Sequence, residues 1–568
     1  MVSSLLSWAG LDPSMSNSPA APATTPMLWT VLAWARKEME SLRNQTSDVG
    51  AASVTTSLVQ SANLLVNPGA EFGDPSLSGF SSVTVPGWTV TGTPTVIKYG
   101  TKVRLPLGLS FPGPTLPAFL GFPTAQSAPP DSGDQFFGGG NVATSTITQT
   151  VDLNDAASLI DAGNLPFTLS AALGGKGLQR SAASVTVNFL DENHLFISSG
   201  QLAPVTPLNR LFRTGLVERE TSGTVPTLAR YAQVVVTFDD DRNYNNAYAD
   251  DLSFTVGDPS LTAPSAPTVP VSTVGSLDHV FMVYMENKGF DDIVGSPNAP
   301  YMNSLINTYG FASNYYALTH PSLPNYYPII GGSDFGVNFN CPSDCFDPPS
   351  NLADEIEAAG QTWAAYEQNG GGTTSPGQTP FLAFHDIFDN PARVANIKPL
   401  TDMAGALESA ATTPNFVWFQ PDEDHNGEGP IDTLAGALRF ALTQITPGHQ
   451  YNVKAADQFL QDTLPTILNS NVWNDPTQKS AIVVTFDEDN NNLSLGFGNE
   501  GNHIVTVVIP SPGAVAAGMR GGPFIATDYY NHYSLQRTIE DALGLAPLTD
   551  NDKYAQPMNE FWQTPVVT

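Results

Sequence analysis

Three apolar runs in the second half of the chain break off on acids or amides. VFMVYM, from Val280, stops at Glu286 and Asn287; FVWF, at 416–419, leads into QPDEDH; AIVVTF, from Ala481, stops at Asp487 and Glu488. Continuous apolar runs of this length predict strands buried on both faces, and in open α/β sheets ligands sit outside the carboxyl ends of such strands. Three strand ends loaded with polar groups therefore predict one shared site. HIVTVVIP, at 503–510, predicts a further strand, while NAPYMNSLINTYG, SNLADEIEAAG and VKAADQFLQDTLPTIL carry helical spacing. This alternation predicts an α/β domain with a mostly parallel sheet over 277–568. In the last helix Leu535, Ile539, Ala542 and Leu543 share a face, Gly544 and Pro547 stop it, and His532 falls just before its start.

The first half has a different texture. From 61 to 257, period-two runs such as SVTVPGWTVTG, SAASVTVNFL and YAQVVVTF alternate with Gly, Pro, Asn and Asp, which predicts an all-β sandwich. Residues 258–276 are dense in Pro, Ser and Thr without a periodic apolar face and read as an extended, semi-rigid linker. Residues 1–60 read as a low-complexity leader with one helix candidate over 27–42. The chain is thus expected to be multidomain.

The opening NLLVNPGAEFG and the closing NNAYADDLSF of the sandwich resemble the ends of jelly-roll carbohydrate-binding modules. The resemblance implies a glycan partner, first and last strands side by side, and a structural calcium between Glu71 and Asp250 or Asp251, since calcium takes hard oxygen ligands. The alternative is that these acids only cap turns. Trp88 reads either as core or as a sugar-stacking platform, and a lone Trp in a sandwich is more often core.

Charged residues make up 13% of the chain, about half the usual share, against 41% hydrophobic. That balance, with abundant Gly and Pro, points to a secreted or cell-surface protein. A standard signal peptide is not visible in MVSSLLSWAGLDP, and no run reaches the ~18 apolar residues of a membrane span. The net charge of −32 argues against nucleic acid or anionic membranes as partners. A phosphorylated substrate would meet the same repulsion unless a metal ion reversed the local field. Cys341 and Cys345, in CPSDC, read as a local disulfide, with free thiols as the alternative.

Seven of the eight histidines follow residue 278, several beside acids or at strand ends. MENKGFDD, THPSLPNYYPIIGG, PDEDH, TFDED and HYSLQRTIEDALGL occur in that order, and together they resemble the phosphoesterase family of bacterial acid phosphatases and phospholipases C, which shares the alkaline-phosphatase superfold. The resemblance implies divalent metal ions and hydrolysis of phosphoric esters on a small molecule or lipid head group. It makes Ser322, in SLPN, the nucleophile at a helix N-terminus, with Thr319 the alternative. It assigns Glu286, Asn287, Asp487 and Glu488 to a first metal site, and Asp424 and His425, with Asp422 as a further candidate, to a second metal or to proton transfer, together with His532. His320 and His503 are candidate leaving-group acids, and Asn338 and Asn340 candidate amide donors to the phosphate. Carboxylates at 487–488, where related zinc enzymes carry Asp-His, make the site harder and weaken the case for zinc. The expected activity is a phosphomonoesterase acting through phosphoserine; the alternatives are a phospholipase C-type diesterase, or a glycan-binding surface protein with a silent catalytic half.

Overall fold

The alternating segments of the first half do pair into sheets. The computed structural model describes residues 60–563 apart from 107–111, 116–120, 131, 241–243, 341–348, 369–378, 431–433, 444–449 and 491–500. Cys341, Cys345 and the helix expected within 27–42 lie outside the described residues. Ten strands, β1 (Thr89–Thr91), β2 (Thr95–Lys98), β3 (Gln135–Gly140), β4 (Thr144–Asp152), β5 (Pro166–Gly175), β6 (Ala182–Leu190), β7 (Phe196–Leu202), β8 (Gly215–Thr224), β9 (Tyr231–Asp239) and β10 (Asn245–Val256), form two five-stranded antiparallel sheets. Their orders are β1-β4-β9-β6-β7 and β8-β5-β10-β3-β2. Alternate residues face inward: Val185, Val187 and Phe189 of β6 meet Ala232, Val234, Val236 and Phe238 of β9 in a core shared with Leu169 and Phe254. Trp88 belongs to that core, edge-on to Phe137, with its ring N–H donated to the Asn67 carbonyl.

The opening segment runs beside the closing strand, with Ser61 N–H on the Val256 carbonyl and Leu64 N–H on that of Phe254. At the bulge of β10, Asp250 is fully buried; its carboxylate accepts from the Tyr99 hydroxyl at 2.6 Å and from Asp251 N–H at 2.7 Å. Glu71 instead accepts from the backbone N–H groups of Asp134 and Gln135. Burial, with Asp251 and Glu71 adding repulsion, pushes the Asp250 carboxyl up to about 8. An acid whose pKa is raised on folding contributes stability at low pH that is lost as pH rises through the folded value. The melting temperature is therefore expected to fall between pH 5 and pH 8, by a free energy on the order of a few kcal/mol, and Asp250→Asn to flatten the slope. Calcium held by Asp250 and Asp251 would reverse the trend at pH 8, so melts with and without calcium test that ligand.

Residues 277 onward build an eight-stranded sheet from β11 (His279–Met285), β12 (Gly310–Ala312), β13 (Trp363–Glu367), β14 (Ile397–Pro399), β15 (Phe416–Gln420), β16 (Ser480–Phe486), β17 (Thr506–Pro510) and β18 (Phe524–Ala526), in the order β14-β13-β15-β11-β16-β17-β12-β18. The sheet is mostly parallel; β17 alone runs antiparallel to both neighbours, β16 and β12. It starts at Thr506, after the expected His503. β11, β15 and β16 are buried along their whole lengths, as their unbroken apolar runs require. In register, Val283 lies beside Phe419 and Met285 beside Phe486, so the chain leaves all three strands at one edge. The principal helices are α1 (Pro300–Thr308), α2 (Leu323–Gly331), α3 (Leu352–Ala358), α4 (Val453–Leu468) and α5 (His532–Leu543). His532 is the first residue of α5 and follows its cap, Asn531, whose side chain accepts from Tyr533 and Ser534 N–H.

Sandwich and α/β domain belong to one compact unit, Val59–Thr568. The Pro-rich segment 258–276 carries no helix or strand and lies along the C-terminal segment: Asn559 accepts from Thr273 N–H and donates to the Val271 carbonyl.

Candidate active site

The parallel register of β11 and β16 brings their carboxyl ends together. Asn287 N–H donates to Asp487 Oδ1 at 2.8 Å, and Glu488 N–H to the same oxygen at 2.6 Å. Asn287 adopts the left-handed conformation, φ 54°, which Asn tolerates better than most residues. Asp487 and Glu488 have no exposed surface.

Ser322 sits at the start of α2, one residue before Leu323. Its hydroxyl donates to Glu488 Oε1 at 3.0 Å, and Asn287 Nδ2 lies 3.5 Å away. Thr319, the alternative nucleophile, turns its hydroxyl toward the His320 carbonyl. The preceding turn is tied by Asn325, which accepts from Leu318 and Thr319 N–H and donates back to the Thr319 carbonyl. The first amides of α2 are committed: Leu323 N–H goes to Asn340 Oδ1, residue 324 is proline, and Asn325 N–H goes to the Ser322 carbonyl. A phosphate arriving here would find few free helix donors, so its charge has to be met by other groups.

His320 bridges two acids, with Nδ1 2.6 Å from Glu488 Oε2 and Nε2 3.3 Å from Asp489 Oδ1. Burial alone would lower its pKa, but Glu488 and Asp489 outweigh burial and raise it well above the usual value, so the ring is an imidazolium. It holds one oxygen of Glu488 while Ser322 holds the other.

Two further acids crowd the site. Glu286 Oε1 accepts from the Tyr326 hydroxyl at 2.5 Å and from Gln420 Nε2 at 2.8 Å, and a side-chain hydrogen bond joins it to Glu428. Burial, then Glu488 and Glu286, push the Asp487 carboxyl well up. Burial, then Glu286 and Glu488, do the same to Glu428. Lys288 is buried beside them, its Nζ donated to the Asn287 carbonyl at 2.7 Å, and burial lowers its pKa. A carboxylate cluster of this kind must take up protons or a cation. One observation fits a cation: Asp487 Oδ2 is buried without a hydrogen-bond partner. The donors that converge are hard oxygens from Asp487, Glu488 and Ser322, while Asn287, expected as a ligand, turns Nδ2 toward Ser322. Among the described residues no three His, Cys, Asp or Glu side chains form a metal-holding group by themselves.

Other expected residues make different contacts. Asp424 is exposed; His425 Nδ1 pairs with Asp422 Oδ1 at 2.6 Å, because a turn sets positions three apart side by side. The His503 ring stacks between Phe290 and Tyr316, with Nε2 on the Ser313 carbonyl. His532 Nε2 lies 2.8 Å from the Asp487 carbonyl and Nδ1 3.1 Å from the Tyr315 hydroxyl. Burial pushes its pKa down to about 4, so the ring is neutral, protonated on Nε2, and supports the backbone of Asp487. Glu428, Asp489, Tyr326 and Gln420 escape the sequence reading. Glu428 lies in the same acidic stretch, PDEDHNGE, which was the only signal for it.

Residues 296–546 match the sequence model described as Phosphoesterase family. A phosphatidylinositol-3-phosphatase of Mycobacterium tuberculosis is 28% identical over 294 residues, covering 51% of this chain and 85% of that one. A probable acid phosphatase of Kluyveromyces lactis is 24% identical over 292 residues, covering 48% of this chain and 59% of the yeast protein. Among solved structures, a protein in the alkaline phosphatase superfamily from Vibrio parahaemolyticus is 15% identical, with 53% of this chain and 73% of that chain covered at a TM-score of 0.32.

Proposed function

We propose, from the match of residues 296–546 to the phosphoesterase family model, that this protein hydrolyses phosphoric monoesters, with Ser322 as the nucleophile. The observation that carries the reading is the Ser322 hydroxyl donated at 3.0 Å to a buried carboxylate, Glu488, within a cluster of acids at the carboxyl edge of the sheet. Two relatives that the chain resembles bear the names of monoester phosphatases, which favours a monoester over a phospholipase C-type diester.

Glu488 accepts the Ser322 proton as the oxygen attacks phosphorus, and the bond to the alcohol breaks in line with the attack. The His320 imidazolium on its other oxygen holds Glu488 in the ionised form that takes this proton. Asn287 Nδ2 and Lys288 add donors and positive charge on the strand-end side. Asp487, Glu488 and Ser322 would hold a divalent cation, which would supply Lewis-acid stabilisation of the phosphoryl charge. The oxygen-only donor set suits magnesium, manganese or calcium better than zinc. The departing alcohol oxygen takes a proton from water; the hydroxide so formed attacks phosphoserine, and Glu488 returns its proton to the departing Ser322 oxygen as phosphate is released. The low charge of the chain and its sandwich suit a secreted protein, the sandwich serving as the glycan-binding half.

The test is a parallel assay on an aryl monophosphate and a bis-aryl diester, with acid quenching to trap labelled enzyme. Faster turnover of the monoester and label on the peptide containing Ser322 are expected. Preference for the diester, or label on another residue, would replace this reading.

A further inference from the structure

The helix that carries Ser322 is held at both ends by one loop of the β-sandwich. In front of the nucleophile turn, Ser82 N–H donates to the Leu318 carbonyl at 2.9 Å, four residues before Ser322. Behind α2, the Asp334 carboxylate receives five donors: Ser76 Oγ at 2.9 Å, Ser78 Oγ at 2.7 Å, and the backbone N–H groups of Leu77, Ser78 and Gly336. Asp334 is 1% exposed, and Ser76, Ser78, Ser81 and Ser82 are at most 4% exposed. Hydrogen bonds to an ionised acceptor are stronger than neutral ones, and water cannot compete for them here.

The loop itself has little freedom. Ser76 N–H bonds the Val96 carbonyl, the Thr95 hydroxyl bonds the Ser81 carbonyl, and the Ser82 hydroxyl bonds the Pro94 carbonyl, so the segment 76–82 is laced onto β2 at the sheet edge. A second strut reaches the same helix end. The Gly332 carbonyl, at the C-terminus of α2, accepts from Thr549 Oγ1 and Asn551 Nδ2, while the neighbouring backbone is fixed to the sandwich through Thr84 to the Asn551 carbonyl and Asp550 N–H to Asp74. Ser322 lies between these anchors. Its distance to Glu488 therefore depends on where the sandwich holds α2.

We propose that the sandwich is a structural part of the catalytic site, and that Asp334 is a positioning residue which, through the 76–82 loop, sets the Ser322 hydroxyl against Glu488. The proposal rests on Ser322 being the nucleophile. A displacement near 1 Å at a reacting group can cost about 100-fold in rate. Loss of the clamp thus acts on kcat, since the groups that bind substrate stay in place.

Asp334→Ala, Asp334→Asn and the double variant Ser76→Ala/Ser78→Ala are compared with wild type and Ser322→Ala by aryl phosphate kinetics and thermal melting. Asp334→Ala is expected to lower kcat about 10- to 100-fold with KM within about twofold, at temperatures where the protein is fully folded. Asp334→Asn is expected to recover part of the loss, because its Oδ1 still accepts from Leu77 and Gly336 N–H. Wild-type kcat in folded Asp334→Ala, or a loss that matches the unfolded fraction, overturns the proposal while leaving the nucleophile assignment intact. Where Asp334→Ala does not fold, the serine double variant decides in the same way: lowered kcat supports the clamp and wild-type kcat overturns it. Full activity in Ser322→Ala overturns the nucleophile assignment and the clamp together.

Discussion

Ser322→Ala is expected to lower kcat on an aryl monophosphate on the order of 10⁴-fold or more, with folding unchanged. The hydroxyl is the atom that forms the new bond, and Thr319, the only other hydroxyl in the turn, faces the His320 carbonyl. The substitution removes one hydrogen bond to Glu488 and leaves His320 on the other oxygen, so the melting temperature should move little. A residual rate within tenfold of wild type would mean that water, rather than serine, attacks phosphorus. Ser322→Thr makes a useful companion, because it keeps a hydroxyl but adds a methyl group to a residue only 8% exposed. It is expected to fall between wild type and Ser322→Ala.

Removing the cation should have the next largest effect. Dialysis against a strong chelator is expected to abolish measurable turnover and to lower the melting temperature, since a ligand bound to the native state at 100 times its dissociation constant contributes about 2.7 kcal/mol of stability. Elemental analysis should find metal in the untreated protein and lose it in Asp487→Asn. That variant keeps an oxygen to accept Asn287 and Glu488 N–H, so it tests the charge of Asp487 and not the backbone turn. Loss of stoichiometric metal with loss of activity of about 100-fold or more would support the assignment. Unchanged activity in the chelated protein would restrict the site to its own groups, His320, Asn287 and Lys288.

The sheet was legible because buried parallel strands leave an unambiguous mark, and the runs at 280, 416 and 481 end where the polar edge of the site begins. The ordered set of motifs singled out Ser322, which the structure sets 3.0 Å from Glu488 Oε1 at that edge. The contacts of the other expected residues have local causes. In PDEDH the residue nearest His425 in sequence, Asp424, points outward, and Asp422 reaches the imidazole across the turn. His503 follows Asn502, whose φ of 65° turns the chain while its side chain bonds Asp489 N–H and the Thr319 carbonyl, carrying the imidazole into an aromatic stack. Glu428 has no periodic neighbour to announce burial, and glycines on either side hide it as a loop residue. Asp334 was invisible because its partners lie 256 to 258 residues earlier, in a domain that composition set apart.

The pairing of β11 with β16 joins segments 200 residues apart, as the bond from Asn287 to Asp487 records, and Ser322 precedes Glu488 by 166 residues. During synthesis the serine therefore leaves the ribosome roughly 10–30 s before its carboxylate partners. The central strand β11 must wait over that interval without its neighbour β16, exposing an apolar edge of the kind that chaperones bind. The sandwich, complete by Val256, is already available to receive the loop behind Ser322 as it emerges, which gives the N-terminal half a part in the order of assembly.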